Sequence, residues 1–267
     1  MNLKSPWMIR PHQQVSLAEY DTAAHAGLSE EVAKASLERH RKELGKLQET
    51  LYASQQNSVL IVLQGMDTAG KDGTISHIFS GINPQGCDVA SFKVPTPLET
   101  RHDFLWRCHE KVPAKGMIGV FNRSHYEQIL APRVHKSITA KQARSNMEQI
   151  NDWESMLHQN GTLVLKFFLH ISREEQKKRL QARLDNPDKH WKFSEADLHE
   201  RAFWPRYQAA YEDLLSHTSR KHAPWFVIPA DYKWFRNNCI STILVDAISG
   251  LKLAYPKPGM DVTKIKL

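Results

Sequence analysis

The stretch Ser58–Gln64 (SVLIVLQ) runs directly into Gly65-Met66-Asp67-Thr68-Ala69-Gly70-Lys71-Asp72-Gly73, and that junction restricts the fold more than any other part of the chain. A short, almost wholly apolar run bounded by Asn57 and Gly65 reads as a parallel strand covered on both faces. The segment after it fits Gly-x-x-x-x-Gly-Lys, the phosphate loop that joins a strand to a helix. Gly65 and Gly70 let the backbone wrap closely. Its N–H groups then face a phosphate, and Lys71 supplies a mobile cation for terminal phosphates. The plainer alternative is an ordinary turn between strand and helix.

The remaining pattern agrees with a phosphate loop in an α/β protein. Further strands are expected at 89–92, 117–121 (MIGVF), 161–171 and 225–229 (WFVIP). Helices are expected at 30–52 behind an Ser29 N-cap, and at 74–80, 97–109, 125–130, 139–158, 172–184, 204–216 and 234–253. Strands alternating with helices imply a parallel sheet with helices on both faces. Residues 1–27 look irregular. The length allows one domain with an insertion or two domains.

Two loop residues depart from an ordinary phosphate loop. The Ser or Thr that usually follows the lysine is Asp72, and Asp67 places another carboxylate inside the loop. Bare negative charge beside phosphates is repulsive, so these carboxylates make sense with a divalent cation between them and the phosphates. For Asp72 an N-cap role is an equal alternative; Asp67 reads as metal ligand or base. The 117–121 strand ends in Asn122-Arg123-Ser124-His125-Tyr126-Glu127, where Asn122 and Glu127 offer oxygen ligands and Arg123 a bidentate grip on phosphate.

Residues 176–192 hold six Lys or Arg against two Asp. Arg179 and Arg183 lie four apart on one helical face, and Lys189 and Lys192 follow a turn at Asp185–Asp188. The segment reads as a mobile lid over phosphates, with a solvated basic face as the alternative. The whole chain carries 36 Lys and Arg against 29 Asp and Glu, a formal +7, which fits a polyanionic partner or merely a basic surface. Cys87, Cys108 and Cys239 make neither a disulfide framework nor a zinc site, so a reducing cytoplasm is expected. No segment reads as membrane-spanning, and the N-terminal MNLKSPWMIRPHQQ has no signal-peptide run. His102 and His109, seven apart on the expected 97–109 helix, form no metal signature.

GMDTAGKDG, FNRSHYE and RLDNPDKHWKF, in this order and spacing, resemble the family-2 polyphosphate kinases over about residues 44–253. The resemblance implies a P-loop kinase-like three-layer fold similar to thymidylate kinase. It would be a single domain over 1–267, with an N-terminal extension and helix at 1–55 and a helical lid at about 172–203. It implies Mg²⁺-dependent transfer (Mn²⁺ as substitute) between inorganic polyphosphate and AMP or ADP, giving ADP or ATP, with guanine nucleotides as further candidates. Asp67, Lys71, Arg123, Glu127 and Arg183 would be catalytic, and Asp67, Asn122 and Glu127 would hold metal. Gly65, Thr68, Ala69, Gly70, Lys71, Asp72, Gly73, Arg123, Arg133, Arg179, Arg183, Lys189 and Lys192 would bind phosphates. Glu127 stands where members restricted to diphosphates commonly have asparagine, which resembles the subgroup that accepts monophosphates too. Many members have Asp at the position of Asn122. A homo-oligomer, dimer or tetramer, is also implied, with neither nucleic acid nor membrane as a partner. The rivals are an ATP-dependent nucleoside monophosphate kinase, against which Asp72 counts, and a non-enzymatic polyanion-binding protein, which leaves the phosphate loop without purpose.

Overall fold

The structure, a computed structural model, describes residues 5–260 and Ile265; the outermost parts of the expected 1–267 domain, including Met1–Lys4 of the N-terminal stretch, lie outside the described residues. In chain order the elements are α1 (Glu30–Ser54), β1 (Ser58–Gln64), α2 (Lys71–Ile78), β2 (Cys87–Ser91), α3 (Trp106–His109), β3 (Ile118–Asn122), α4 (Glu127–Val134), α5 (Ala140–Gln159), β4 (Thr162–His170), α6 (Arg173–Leu184), α7 (Glu195–Ala202), α8 (Trp204–Thr218), β5 (Trp225–Pro229) and α9 (Lys233–Ser249).

The five strands form one parallel sheet in the order β2-β3-β1-β4-β5. β1 is the centre, entirely buried, and its side chains alternate between two cores. Leu60 and Val62 face Ile129, Ile150 and Leu214 on α4, α5 and α8. Val59, Ile61 and Leu63 face Leu44, Leu51, Ile240 and Leu244 on α1 and α9. Chain order reverses around β1, which pairs with β3 on one side and β4 on the other. In open α/β sheets the crevice outside the strand ends at such a reversal is where ligands bind. The phosphate loop leaves β1 at this point.

The expected sheet and helix alternation is present, with instructive differences. The 97–109 helix is broken: a 3-10 turn at Glu99–Arg101 and the short α3 replace it. Asp103 Oδ1 accepts from the N–H groups of Leu105 and Trp106, so the chain restarts a helix there and His102 falls outside it. α2 begins at Lys71 instead of Thr74, and α4 continues past Pro132 to Val134. α7 was not expected; its eight residues carry a Ser194 N-cap whose hydroxyl accepts from Ala196 N. The irregular amino-terminal segment has a role at the sheet edge. Ile9 N donates to Trp225 O and Val227 N to Trp7 O, covering the outer edge of β5, which removes an open strand edge.

Behind the crevice, β4 carries a buried cation. Lys166 Nζ donates to Glu154 Oε2 (2.5 Å), Thr218 O (2.7 Å) and Tyr126 Oη (2.8 Å). Tyr126 Oη donates in turn to Glu154 Oε1, 3.2 Å from His125 Nε2. Burial pushes Lys166 down to about 8 against the pull of Glu154. The network anchors His125 and Tyr126, and with them the turn that carries Arg123. Because removing one partner strands the other charge, Lys166→Met is expected to lower the unfolding free energy by about 3–5 kcal/mol. The double variant with Glu154→Gln should recover most of that in urea unfolding. Equal losses in the single and double variants would mean that packing, not the pair, matters.

Candidate active site

The phosphate loop is built by close approach. Gly65 has φ +154°, and a Cβ there would press on Leu169 O at 2.8 Å. Thr68 takes φ 65° although it is not glycine, a conformation that costs energy and persists only when its surroundings impose it. Arg179 supplies that imposition. Its Nη1 donates to Thr68 O (3.0 Å) and Ala69 O (3.1 Å), its Nη2 to Ala230 O (2.6 Å) and Asp231 O (3.0 Å), and its Nε to Glu175 Oε1 (2.8 Å). All five guanidinium donors are thereby used. With the carbonyls of the loop held from behind, Thr68 Oγ1 stays buried without a hydrogen-bond partner among the described residues. Lys71 Nζ donates to Gly65 O (2.7 Å) and Met66 O (3.3 Å). Burial pushes its ammonium down, Arg123 adds to that, and Asp67, Glu127 and Asp72 pull it back.

The end of β3 sits level with the loop, because Leu63 pairs with Asn122 and Arg123 N donates to Leu63 O. Arg123, at φ 63°, turns its Nη2 onto Asp67 Oδ1 at 3.1 Å. Burial pushes Arg123 down, but the carboxylates of Glu127 and Asp67 outweigh it and raise it. Asn122 Nδ2 donates to Asp72 Oδ1 (2.7 Å), which leaves the Asn122 carbonyl oxygen for another partner. Asp72 does not cap α2: Gly70 is the N-cap residue, and Asp72 lies exposed in the first turn with Lys192 Nζ at 3.9 Å. Glu127 begins α4 with Oε1 accepting from the Gln64 amide at 2.9 Å, in the orientation that also satisfies Ser124. Burial raises the Glu127 carboxyl, opposed first by Arg123 and then by Lys71.

A cavity of about 770 Å³ opens over the loop. Asp67, Thr68, Gly70, Lys71, Asp72, Gly73, Asn122, Arg123, Arg179, Arg183, Lys189 and Lys192 of the sequence-derived set line it. Arg183 comes from α6, its Nη1 donating to Lys192 O (3.2 Å) and Asp197 Oδ2 (3.4 Å), and Lys189 and Lys192 from the 3-10 segment Pro187–Lys192 that follows. Gly65 and Ala69 shape the loop without facing the cavity, and Glu127 sits behind it near Lys71 and Arg123.

Two expectations are corrected. Arg179 has no donor left for a phosphate; it clasps the loop backbone, because a buried guanidinium is satisfied by convergent carbonyls. Arg133 does not reach the cavity: it shares Asp213 with Arg144 on the α4–α5–α8 side. Lys93, Lys233, Arg236, His77 and Asp197 also line the cavity and were missed. Lys93 follows β2, and Lys233 and Arg236 follow β5. Since parallel strands all end on one side, the first cations after each strand were the available signal. Arg179→Ala, which frees four carbonyls, should cost about 3–5 kcal/mol. Arg133→Ala should cost about 1 kcal/mol or less, because Asp213 keeps Arg144 and the pair is partly exposed. Comparable small losses in urea unfolding would return Arg179 to a surface role.

The profile of the Polyphosphate kinase 2 family matches residues 27–254. The AMP/ADP-polyphosphate phosphotransferase of Meiothermus ruber is 47% identical over 262 residues, covering 97% of this chain and 98% of that protein. The ADP-polyphosphate phosphotransferase of Rhodopseudomonas palustris is 47% identical over 239 residues, 85% of this chain and 81% of that protein. The crystal structure of Polyphosphate Kinase 2 from Arthrobacter aurescens TC1 superposes with a TM-score of 0.93 at 43% identity, over 96% of this chain and 92% of that one. The family profile, the two relatives at 47% identity and the near-complete superposition agree, and the chain belongs to the polyphosphate kinase 2 family, whose members are phosphotransferases.

Proposed function

We propose that this protein transfers phosphoryl groups between inorganic polyphosphate and both AMP and ADP, and that Glu127 admits the monophosphate. The observation that carries the reading is the cavity itself. Nine lysines and arginines line it against three aspartates, and the phosphate loop forms its floor. A linear polyanion needs such clustered cations, and catalysis of phosphoryl transfer is mostly positioning and charge stabilisation. Lys71 and Arg123 meet the phosphates at the reacting end. Arg183, Lys189 and Lys192 act from a lid formed by α6, the 3-10 segment and α7.

The donor chemistry fits a hard divalent cation. Mg²⁺ commonly takes one or two carboxylates and completes its shell with water and phosphate oxygens. Asp67 and Asp72 border the cavity beside the free carbonyl oxygen of Asn122, and no group of three or more His, Cys, Asp or Glu side chains suited to metal occurs among the described residues. Asp67, with Asn122 and Glu127 as further oxygen donors, would hold Mg²⁺, Mn²⁺ substituting. When bound, the ion neutralises charge on the transferred phosphate. Three free cysteines suit a reducing cytoplasm, and no helix among the described residues is long and apolar enough to cross a membrane. A homo-oligomer and turnover of guanine nucleotides belong to the same proposal.

The test is incubation with polyphosphate, Mg²⁺ and AMP, followed by chromatography of the nucleotides. ADP and then ATP are expected, chelator stops both, and Lys71→Met serves as the inactive control. A protein that uses ATP with AMP while polyphosphate is inert would be an ordinary monophosphate kinase.

Overall identity does not choose between acceptors, because the two relatives with different nucleotides in their names are each 47% identical. Glu127 does. A monophosphate leaves a gap where a diphosphate carries its second phosphate. A carboxylate fixed by Gln64 and drawn toward Arg123 holds an ion or water across that gap and orients the shorter acceptor. Glu127→Asn is expected to lower kcat/KM for AMP by at least about tenfold more than for ADP. An unchanged AMP-to-ADP ratio on a folded variant would sink this assignment.

A further inference from the structure

Three arginines are buried among the described residues, and two have carboxylate partners. Arg107 faces Glu99 at 3.3 Å, and Arg179 faces Glu175 at 2.8 Å. Arg236, in the first turn of α9, is 2% exposed and has no Asp or Glu within ion-pair distance among the described residues. Its Nε and Nη2 donate to Asn237 Oδ1 (3.1 and 2.9 Å) and its Nη1 to Ala69 O (3.2 Å). All of these acceptors are neutral. Burial and the neighbouring Arg179 push it down to about 9, so it stays charged at neutral pH. A buried charge without a counter-charge is expensive, and proteins seldom keep one without a use.

The place of this charge tells its use. It borders the active-site cavity, and the loop lies directly on it: a Cβ on Gly70 would overlap Nη1, and one on Gly73 would meet Nη2 at 3.5 Å. No side chain separates the guanidinium from the stretch where α2 begins. Gly70 takes φ 103° there, a conformation that glycine adopts freely and that brings the backbone against the arginine.

We infer that Arg236 is an electrostatic positioning residue of the phosphate loop, whose missing counter-ion is the phosphate chain of the substrate. It acts through the loop, not by touching the reacting atoms. It holds the Ala69 carbonyl turned inward, and it adds a fixed positive charge behind N–H groups that face a phosphate. In a low-dielectric setting such a charge is weakly screened and favours the anion strongly. The inference rests on the phosphate-loop reading and adds a determinant outside the loop motif.

The alternative is that Arg236 is only a tie between α9 and the loop, and the two accounts predict opposite effects on stability. The experiment measures melting temperature and tripolyphosphate affinity, without metal, for the parent, Arg236→Gln and Arg236→Lys. Without anion, Arg236→Gln is expected to melt no lower than the parent, because an uncompensated buried charge has gone. Its affinity for tripolyphosphate should nevertheless fall by at least about tenfold. Arg236→Lys, which keeps the charge and loses the fork, should lose less than about tenfold. An Arg236→Gln variant that melts early yet binds tripolyphosphate like the parent would overturn the inference. Should that variant fail to fold, an Arg236→Lys loss of tenfold or more would overturn it too. A parent protein that tripolyphosphate does not stabilise removes the phosphate-loop reading and this role with it. A parent that responds, beside an Arg236→Gln variant that responds equally, removes this role alone.

Discussion

The clasp of Arg179 on the phosphate loop is the interaction on which the site depends. One guanidinium from α6 joins Thr68 and Ala69 of the loop to Ala230 and Asp231 at the end of β5. A loop that must present its N–H groups to an anion turns its carbonyls the other way, and buried carbonyls need donors. Arg179 meets that need with a single rigid fork, and so locks the positive φ of Thr68. It also fixes where α6 starts relative to the loop. The basic residues farther along α6 and in the following 3-10 segment, Arg183, Lys189 and Lys192, therefore line the cavity above the loop.

A second layer holds the opposite wall. Arg123 belongs to the turn after β3, and that turn is pinned by His125 and Tyr126 against Glu154 and Lys166. The sheet thus carries two buried polar anchors, one on either side of the β1 reversal, each ending in an arginine near the cavity. A buried network in which every donor of Lys166 and both Glu154 oxygens are engaged is rigid. Rigidity is what in-line transfer needs, since misplacement by a fraction of an ångström weakens every charge that meets the transferred group.

Much of this was legible in the sequence, for physical reasons that differ between elements. β1 and its loop could be read because an apolar run, two glycines and a lysine each report a local backbone requirement. The parallel sheet followed from the alternation of strands and helices, which is a property of order along the chain. Three-dimensional convergence was less visible. Arg179 carries the same side chain as Arg183 one turn later, and both border the cavity, yet Arg179 is buried with every donor engaged while Arg183 is partly exposed. Periodicity places both on one face and cannot tell which end of that face is covered. Arg236 and Lys233 were hidden for another reason: they lie more than 160 residues beyond Lys71, and only their position just after a parallel strand marks them. The break at Asp103 was local but subtle, since one carboxylate accepting two N–H groups was enough to divide the expected helix.

The charge of the chain takes its meaning from this convergence. The residues lining the cavity carry a formal +6, nine cations against three aspartates, while all 267 residues together carry +7. The rest of the molecule is therefore close to neutral, and its basic character is a property of one crevice. A nucleic-acid-binding surface would spread its cations along a groove and interleave aromatics for bases to stack on. Phe92 is the one Phe, Tyr or Trp among the described residues that line this cavity. A substrate recognised there is thus read almost wholly by its charge and by the spacing of its phosphates. Low-dielectric walls strengthen that reading at short range, and salt weakens it only where the cavity opens to solvent. Concentrating like charges in this way destabilises the empty crevice, and the two buried anchors behind it supply the rigidity that keeps the cations from moving apart.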